Sequence, residues 1–294
     1  MSEQPAARPR RSVLYMPGSN ARALEKGRNV SADALILDLE DAVAPDAKET
    51  ARDQVIQAVQ SGGYGHREIA VRVNPLDSHW GPADVEAAAT CGADALLLPK
   101  VESAAMVQDL EARMDAAGAP RDMAIWTMIE TPKGVLNARE IAASSERLAV
   151  FVMGTSDLVK DLHAEHTKDR QPVLTALSWC VLAARAHGRA IVDGVYLDLN
   201  DTPGLEAQCR QGRELGMDGK TLIHPKTVEA ANRAFAPTDE QVAHARRIIE
   251  AHAEAQRRGE GLAVLDGQLI ENLHVENAQR VLALAQAIEY RQAA

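Results

Sequence analysis

The sequence predicts an α/β protein: a closed (β/α)8 TIM barrel with a C-terminal helical extension acting as a lid or oligomerisation arm. Three observations predict it. Short apolar runs of strand length alternate with helical stretches eight times between Val13 and Ile223, and repeated βα units imply a parallel sheet. Eight units in succession fit a barrel, whose chemistry sits on the loops after the strands. No run is followed by GxGxxG or a Walker A loop, the fingerprints of a doubly wound nucleotide-binding sheet. The expected division is 1–235 for the barrel, including a disordered N-terminal tail, and 236–294 for the extension.

In order, the strands are expected at Val13–Tyr15, Ala34–Asp38, Ile69–Val73, Ala95–Leu98, Ala124–Ile129, Leu148–Met153, Ala190–Asp193 and Thr221–Ile223. Each is a short, largely apolar run closed by turn-forming or polar residues. Helices are expected near Ala21–Val30, Asp46–Ser61, Gly81–Thr90, Ser103–Ala116, Gly134–Ala143, Val173–Ala186 and Pro203–Leu215, the last capped by Thr202. The βα pattern stops at Phe235. Thr238 with Gln241 forms a capping box for a helix reaching Arg258. A Gly259–Gly261 break, an extended piece at Leu262–Leu265, an Asp266-Gly267 turn and a helix from about His274 complete the chain.

The fifth strand organises the rest. Its apolar run ends in Glu130, followed by Thr131 and Pro132, an N-cap and a first-turn proline. Two readings of Glu130 are open: a carboxylate delivered to the barrel mouth, or a residue that softens the dipole of the next helix. The same pattern brings other polar side chains to strand ends: Asp38, Glu40 and Asp41 after the second, Arg72 on the third, Lys100 after the fourth and Asp157 after the sixth. Carboxylates facing an arginine suit a hard divalent cation such as Mg²⁺, and the arginine can grip a carboxylate or an enolate-like oxygen. The bland reading is that these charges pair with one another.

Other motifs carry less. His163 and His166 are spaced for one helix face but lack a third ligand, and Ser156 in Gly-Thr-Ser-Asp is not a GxSxG elbow. Gly62–Gly65 precedes a strand, the wrong side for a phosphate cradle. His224-Pro225 either lines the mouth or caps the wall. Arg8, Arg10 and Arg11 read as solvated.

With 46% hydrophobic and 25% charged residues the composition is that of a soluble globular chain, and a net charge of −10 argues against nucleic acid or an anionic membrane surface as the main partner. No run approaches the ~18 apolar residues of a membrane span, and no apolar segment follows the polar N-terminus as in a signal peptide. Cys91, Cys180 and Cys209 are scattered and form no CxxC pair, which fits a reducing, cytoplasmic setting.

Arg11–Gly18, Leu37–Val43, Arg72-Val73-Asn74, Leu98–Glu102, Glu130–Gly134, Gly154–Asp157 and His224-Pro225 occur in this order. Together they resemble the citrate lyase β-subunit-like family, which includes malyl-CoA and citramalyl-CoA lyases. The resemblance implies a TIM barrel, Mg²⁺, and cleavage of a 3-hydroxyacyl-CoA into an acyl-CoA and a 2-oxo acid. By position, Glu130 and Asp157 would hold the metal and Arg72 would stabilise the substrate oxygen and enolate, with Glu40 and Asp41 orienting it. Tyr15, Pro17, Gly18 and Lys100 would lie near the CoA phosphates, and Gly154, Thr155 and Ser156 at the substrate.

The tail departs from the pattern. Where the family carries a lid aspartate donated by a neighbouring subunit, the matching position here is Glu271. The resemblance therefore implies a homo-oligomer, a trimer or hexamer, and leaves three activities open. These are a carbon–carbon lyase, a thioesterase in which Glu271 activates water, and a citrate lyase β-type subunit that needs partner subunits.

Overall fold

A computed structural model describes residues 7–259 and 262–293. Met1–Ala6 of the expected tail, and most of the expected Gly259–Gly261 break, lie outside the described residues. Two compact units are present. Arg10–Phe235 form one, and the chain from Ala236 onward forms the other together with the N-terminal residues up to Pro9.

The first unit is a closed barrel of eight parallel strands in sequential order, with the first also paired to the last. The strands are β1 (Ser12–Pro17), β2 (Ala34–Asp38), β3 (Glu68–Arg72), β4 (Ala95–Leu98), β5 (Ala124–Ile129), β6 (Leu148–Met153), β7 (Ala190–Asp193) and β8 (Gly219–Leu222). Around them run α1 (Ala21–Gly27), α2 (Lys48–Ser61), α3 (Gly81–Ala88), α4 (Ala104–Ala116), α5 (Pro132–Leu136), α6 (Ala138–Ala142), α7 (Thr155–Asp161), α8 (Leu174–Ala186), α9 (Thr202–Glu214) and α10 (Val228–Phe235).

Strand side chains alternate between faces, and here the alternation separates two buried clusters. Val13, Ala34, Ile36, Ala70, Leu97, Trp126, Met128, Val150 and Val192 fill the barrel interior. Leu14, Leu35, Leu37, Val71, Leu96, Ile125 and Phe151, one residue out of step, pack outward against the helices. At the amino-terminal end of the strands Arg10 makes a bidentate contact with Glu68 and stands 5.6 Å from the Trp126 ring. Arg11 is buried and bidentate to Asp33. These arginines are therefore structural rather than solvated, and residues 7–11 of the expected tail belong to the described structure.

Several expected elements are corrected. The expected Gly134–Ala143 helix is two short helices. Asn137 sits between them with ψ near 7°, its Nδ2 donating to Glu102 O at 2.8 Å, and Gly134 is pressed so closely on Val101 O that no side chain fits. Asp201, not Thr202, caps α9 by accepting from the Gly204 amide. Ile223 lies beyond β8 and is exposed. The short helices α7 and α10 are additional to the expected elements.

The second unit holds α11 (Asp239–Arg257), a hairpin of β9 (Ala263–Leu265) and β10 (Gln268–Ile270), and α12 (Asn272–Ala293). The Thr238/Gln241 capping box is present. Asp266 and Gly267 take φ of 51° and 78° in the two-residue turn, the positive-φ pair that a tight hairpin requires. Arg291 Nη1 donates to Pro9 O at 3.1 Å, which ties the N-terminal residues to this unit.

Asp33→Ala should strip Arg11 of its buried partner and cost about 3–5 kcal/mol. Urea unfolding of the variant beside the parent chain, with the m-value unchanged, checks it.

Candidate active site

The barrel's period of two also decides what reaches the mouth. Continuing the inward-facing positions to the carboxyl end of each strand gives Tyr15 after Val13, Asp38 after Ile36, Arg72 after Ala70 and Glu130 after Met128. Above the Arg10–Glu68 pair at the amino-terminal end, the inner lining is largely apolar until its last layer, which is charged. That layer lies where the loops of a parallel barrel gather their chemistry.

Arg72 is the centre. Its Nε and Nη2 donate to the two carboxylate oxygens of Asp38, each at 2.6 Å, and Nη1 reaches Glu40 Oε2 at 2.9 Å. The guanidinium carbon stands 5.0 Å from the Tyr15 ring centroid, and Nη1 also meets Met128 Sδ at 3.5 Å. Of five N–H groups, one on Nη2 is left for a ligand. Burial opposes its charge, yet Asp38, Tyr15 and Glu40 hold the guanidinium firmly protonated. Asp38 also accepts from the amides of Glu40 and Ala42, so one carboxylate fixes both the arginine and the loop beyond β2.

That loop is latched from below. Lys48 is buried, and its ammonium donates to Leu39 O, Glu40 O and Asn74 Oδ1 at 2.7–2.8 Å. Asn74 in turn donates to Leu39 O and Asp84. Glu40 is thereby aimed into the mouth, where its Oε1 takes Lys100 Nζ at 2.7 Å. Burial works against the Lys100 charge, but Glu40 outweighs it and the ammonium is held up.

Glu130 is 2% exposed and its Oε1 accepts from the Lys100 amide at 2.7 Å. Lys100 adopts φ of 51° there, a conformation uncommon for a side chain of its size. Burial pushes the Glu130 carboxyl up to about 7, against the pull of the Lys100 amide and charge. Gly154, directly after β6, lies against the Glu130 carboxylate with no room for a Cβ. Asp157 follows in the first turn of α7, partly exposed, with Lys160 Nζ at 3.1 Å.

The expected residues therefore divide. Arg72, Glu40, Lys100, Glu130 and Tyr15 form one contact network, and Gly154 abuts it. Tyr15 stacks under Arg72 with its hydroxyl toward Met128 Sδ, its phenol pushed up by burial, and the half-exposed Lys100 ammonium pairs with Glu40. Asp41 is exposed, and its amide, not its carboxylate, touches Glu40. Pro17 and Gly18 end β1, where the Gly18 amide donates to Asp38 O. Thr155 is buried and Ser156 half-buried at the start of α7. Glu271 stands between β10 and α12 in the second unit, exposed, its amide donating to His274 Nδ1. His163 and His166 are exposed, and His224 caps its own turn by accepting from the Lys226 amide. Asp38, already expected at a strand end, stands in register opposite Arg72, whereas Lys48 is new to the site: it is the first residue of α2, and its only sequence signal is a lysine at the start of the helix after the Glu40 loop.

The donor set fits a hard dication. Glu130 is a buried carboxylate whose ionisation burial resists, and Asp157 is a partly exposed carboxylate beside the surface ammonium of Lys160. Among the described residues no group of three or more His, Cys, Asp or Glu side chains could hold a metal alone. Two carboxylates with water and substrate oxygens are the arrangement Mg²⁺ accepts.

Barrel and charged mouth define a (β/α)8 protein with carboxylates and an arginine gathered at the carboxyl ends of its strands. The chain belongs to the HpcH/HpaI aldolase/citrate lyase family, matching it over residues 11–225. It is 52% identical over 282 residues to a (3S)-malyl-CoA thioesterase of Cereibacter sphaeroides, covering 96% of each chain. It is 38% identical over 289 residues to the citrate lyase subunit beta of Escherichia coli, covering 97% of this chain and 96% of the other. Among solved structures it resembles CitE of Mycobacterium tuberculosis in complex with magnesium, acetoacetate and coenzyme A, with a TM-score of 0.75, 29% identity and coverage of 96% and 99%.

Two outcomes test this geometry. Gly154→Ala should drive a methyl into Glu130 and lower turnover about a hundredfold while the far-ultraviolet spectrum stays unchanged. The second concerns pH. Because folding raises the Glu130 pKa from 4.5 to about 7, the folded chain holds the extra proton between those values. This group's contribution to stability therefore falls as pH rises through that window and levels off above it. Urea midpoints from pH 5 to 8 should show that decline in the parent chain without Mg²⁺, and Glu130→Gln should remove it.

Proposed function

We propose that the chain is an Mg²⁺-dependent hydrolase of the CoA thioester of a small 3-hydroxy diacid, malyl-CoA first. The observation that carries this reading is the 52% identity to a (3S)-malyl-CoA thioesterase over 96% of both chains, joined to a mouth built around Arg72, Glu130 and Asp157. Glu130 and Asp157 would hold the cation, which supplies Lewis acidity at the substrate oxygens.

The chain's own groups do the rest. Arg72 offers its remaining N–H to the oxygen that gains charge, and Asp38 holds the guanidinium plane fixed so that little reorganisation accompanies the reaction. Glu40 and Lys100 keep that wall near neutrality. Glu271, donated by a neighbouring copy of the chain, is assigned to the water as general base. Water adds to the thioester carbonyl, the carbon–sulfur bond breaks, and free acid and CoA thiol leave.

A second reading is favoured by a specific observation. An arginine locked in place and buried beside a carboxylate also suits an enolate, which is what carbon–carbon cleavage to an acyl-CoA and a 2-oxo acid generates. The citrate lyase subunit beta relative and the acetoacetate-bound CitE are in keeping with it. A homo-oligomer, trimer or hexamer, and a cytoplasmic setting belong to the same proposal. Among the described residues no helix is long and apolar enough to cross a membrane, and all three cysteines are free and buried.

Product analysis with purified chain, malyl-CoA and citramalyl-CoA, and Mg²⁺ or EDTA decides between the readings. Free thiol in step with hydroxy acid, abolished by EDTA and by Glu130→Ala, is expected. A 2-oxo acid without thiol would replace hydrolysis with cleavage. Arg72→Lys, which cannot make the bidentate contact, should lower turnover about 10²–10³-fold in either case, and Glu271→Gln should abolish thiol release if water is activated there.

A further inference from the structure

A second cavity opens beside the mouth, between the segment that follows α7 and the segment that joins β7 to α9. It encloses about 210 Å³, and none of Arg72, Glu40, Lys100 or Glu130 lines it. Arg170 and Gln208 line it and lead into a charged network behind β7. Arg170 is 6% exposed. Its Nε donates to Gln211 Oε1 at 2.7 Å, and its Nη1 donates to both oxygens of Asp193 at 2.7 Å. Lys220, fully buried, donates to the same Asp193 at 3.0 Å and to Gln208 Oε1 at 3.2 Å.

This network is short of one acceptor. Two cations share a single buried carboxylate, and Arg170 Nη2 is buried with no hydrogen-bond partner. An unsatisfied nitrogen on a charged group is costly, so its survival beside a cavity points to a partner that the polypeptide does not supply. Together the excess cation and the orphan N–H groups call for an oxyanion. The cavity's size, below that of ordinary cofactor pockets, calls for a small one. The walls are not broadly positive: Glu165 and Asp198 line it beside Lys168 and His166, all four exposed. Selection therefore rests on the directed donors at Arg170, not on the surrounding field.

We propose that this cavity binds a small oxyanion, a carboxylate or phosphate group seated on Arg170 Nη2, at a site separate from the one that holds Glu130 and Arg72. It borders that site, because Thr155 and Ser156 line it and lie in the turn that carries Gly154 and Asp157.

Thermal unfolding in EDTA, with malate, inorganic phosphate or chloride as probe, tests it. The comparison covers the parent chain, Arg72→Met, Arg170→Lys and Val195→Trp. Arg170→Lys keeps a cation for Asp193 but loses Nη2. Val195→Trp fills the cavity from its half-exposed wall and leaves the network intact. A saturable rise in the midpoint of about 5 °C at a hundredfold excess over the dissociation constant is expected in the parent chain and in Arg72→Met. It should be absent from Arg170→Lys and from Val195→Trp. Response to malate alone would assign a carboxylate, and response to phosphate alone a phosphate group. No response to either probe, loss of the response in Arg72→Met, or a response that survives both Arg170→Lys and Val195→Trp would overturn the proposal.

Discussion

The bidentate contact between Asp38 and Arg72 sets the geometry of the mouth. It joins the ends of two adjacent strands, and its partners extend the constraint outward: Asp38 to the amides of the next loop, Arg72 to Glu40, and Glu40 to Lys100. A buried ion pair is not in itself a source of stability, since desolvation offsets most of the attraction. Its value here is directional. Donors and acceptors with fixed bond vectors leave the guanidinium plane one orientation, and one N–H of Nη2 is not consumed.

Beside this closed arrangement, Glu130 is held differently. It has an amide and nearby positive charge, but burial still lifts it to about 7. The asymmetry separates the roles of two neighbouring carboxylates. Asp38 is spent on Arg72 and two loop amides, whereas Glu130 accepts from the Lys100 amide, and that difference is what supports its proposed role as the attachment point for a cation.

Much of this was readable in the sequence. The eight βα repeats follow from apolar runs with turn residues between them, and a strand that buries both faces must count in twos. The strand ends single out Glu130 and Arg72 as candidates for the mouth, with Glu130 still open to a helix-dipole role; the count of two in the folded barrel turns both inward. The Thr238/Gln241 box was legible because both halves of the reciprocal contact are local. What was not legible depended on contacts distant in sequence. Nothing near Asn137 announces that Glu102 O will break its helix, and nothing near Arg10 or Arg11 names Glu68 and Asp33 as partners. The short helix α7 has too few turns to show a period. Asp41 looked equivalent to Glu40 on spacing, yet the turn that buries Glu40 faces Asp41 to solvent.

The inward count of two has a consequence for how such a mouth can change over generations. Replacing one residue of the last inner layer alters one side chain and leaves its neighbours in place, so substrate preference can drift by point substitution. Inserting or deleting one residue in β2, β3 or β5 would turn every later side chain of that strand to the opposite face. Asp38, Arg72 or Glu130 would then be carried under the helices, and an apolar side chain would stand in the mouth. Length variation is therefore confined to the segments beyond the strand ends, and the strands themselves are free to vary only in kind.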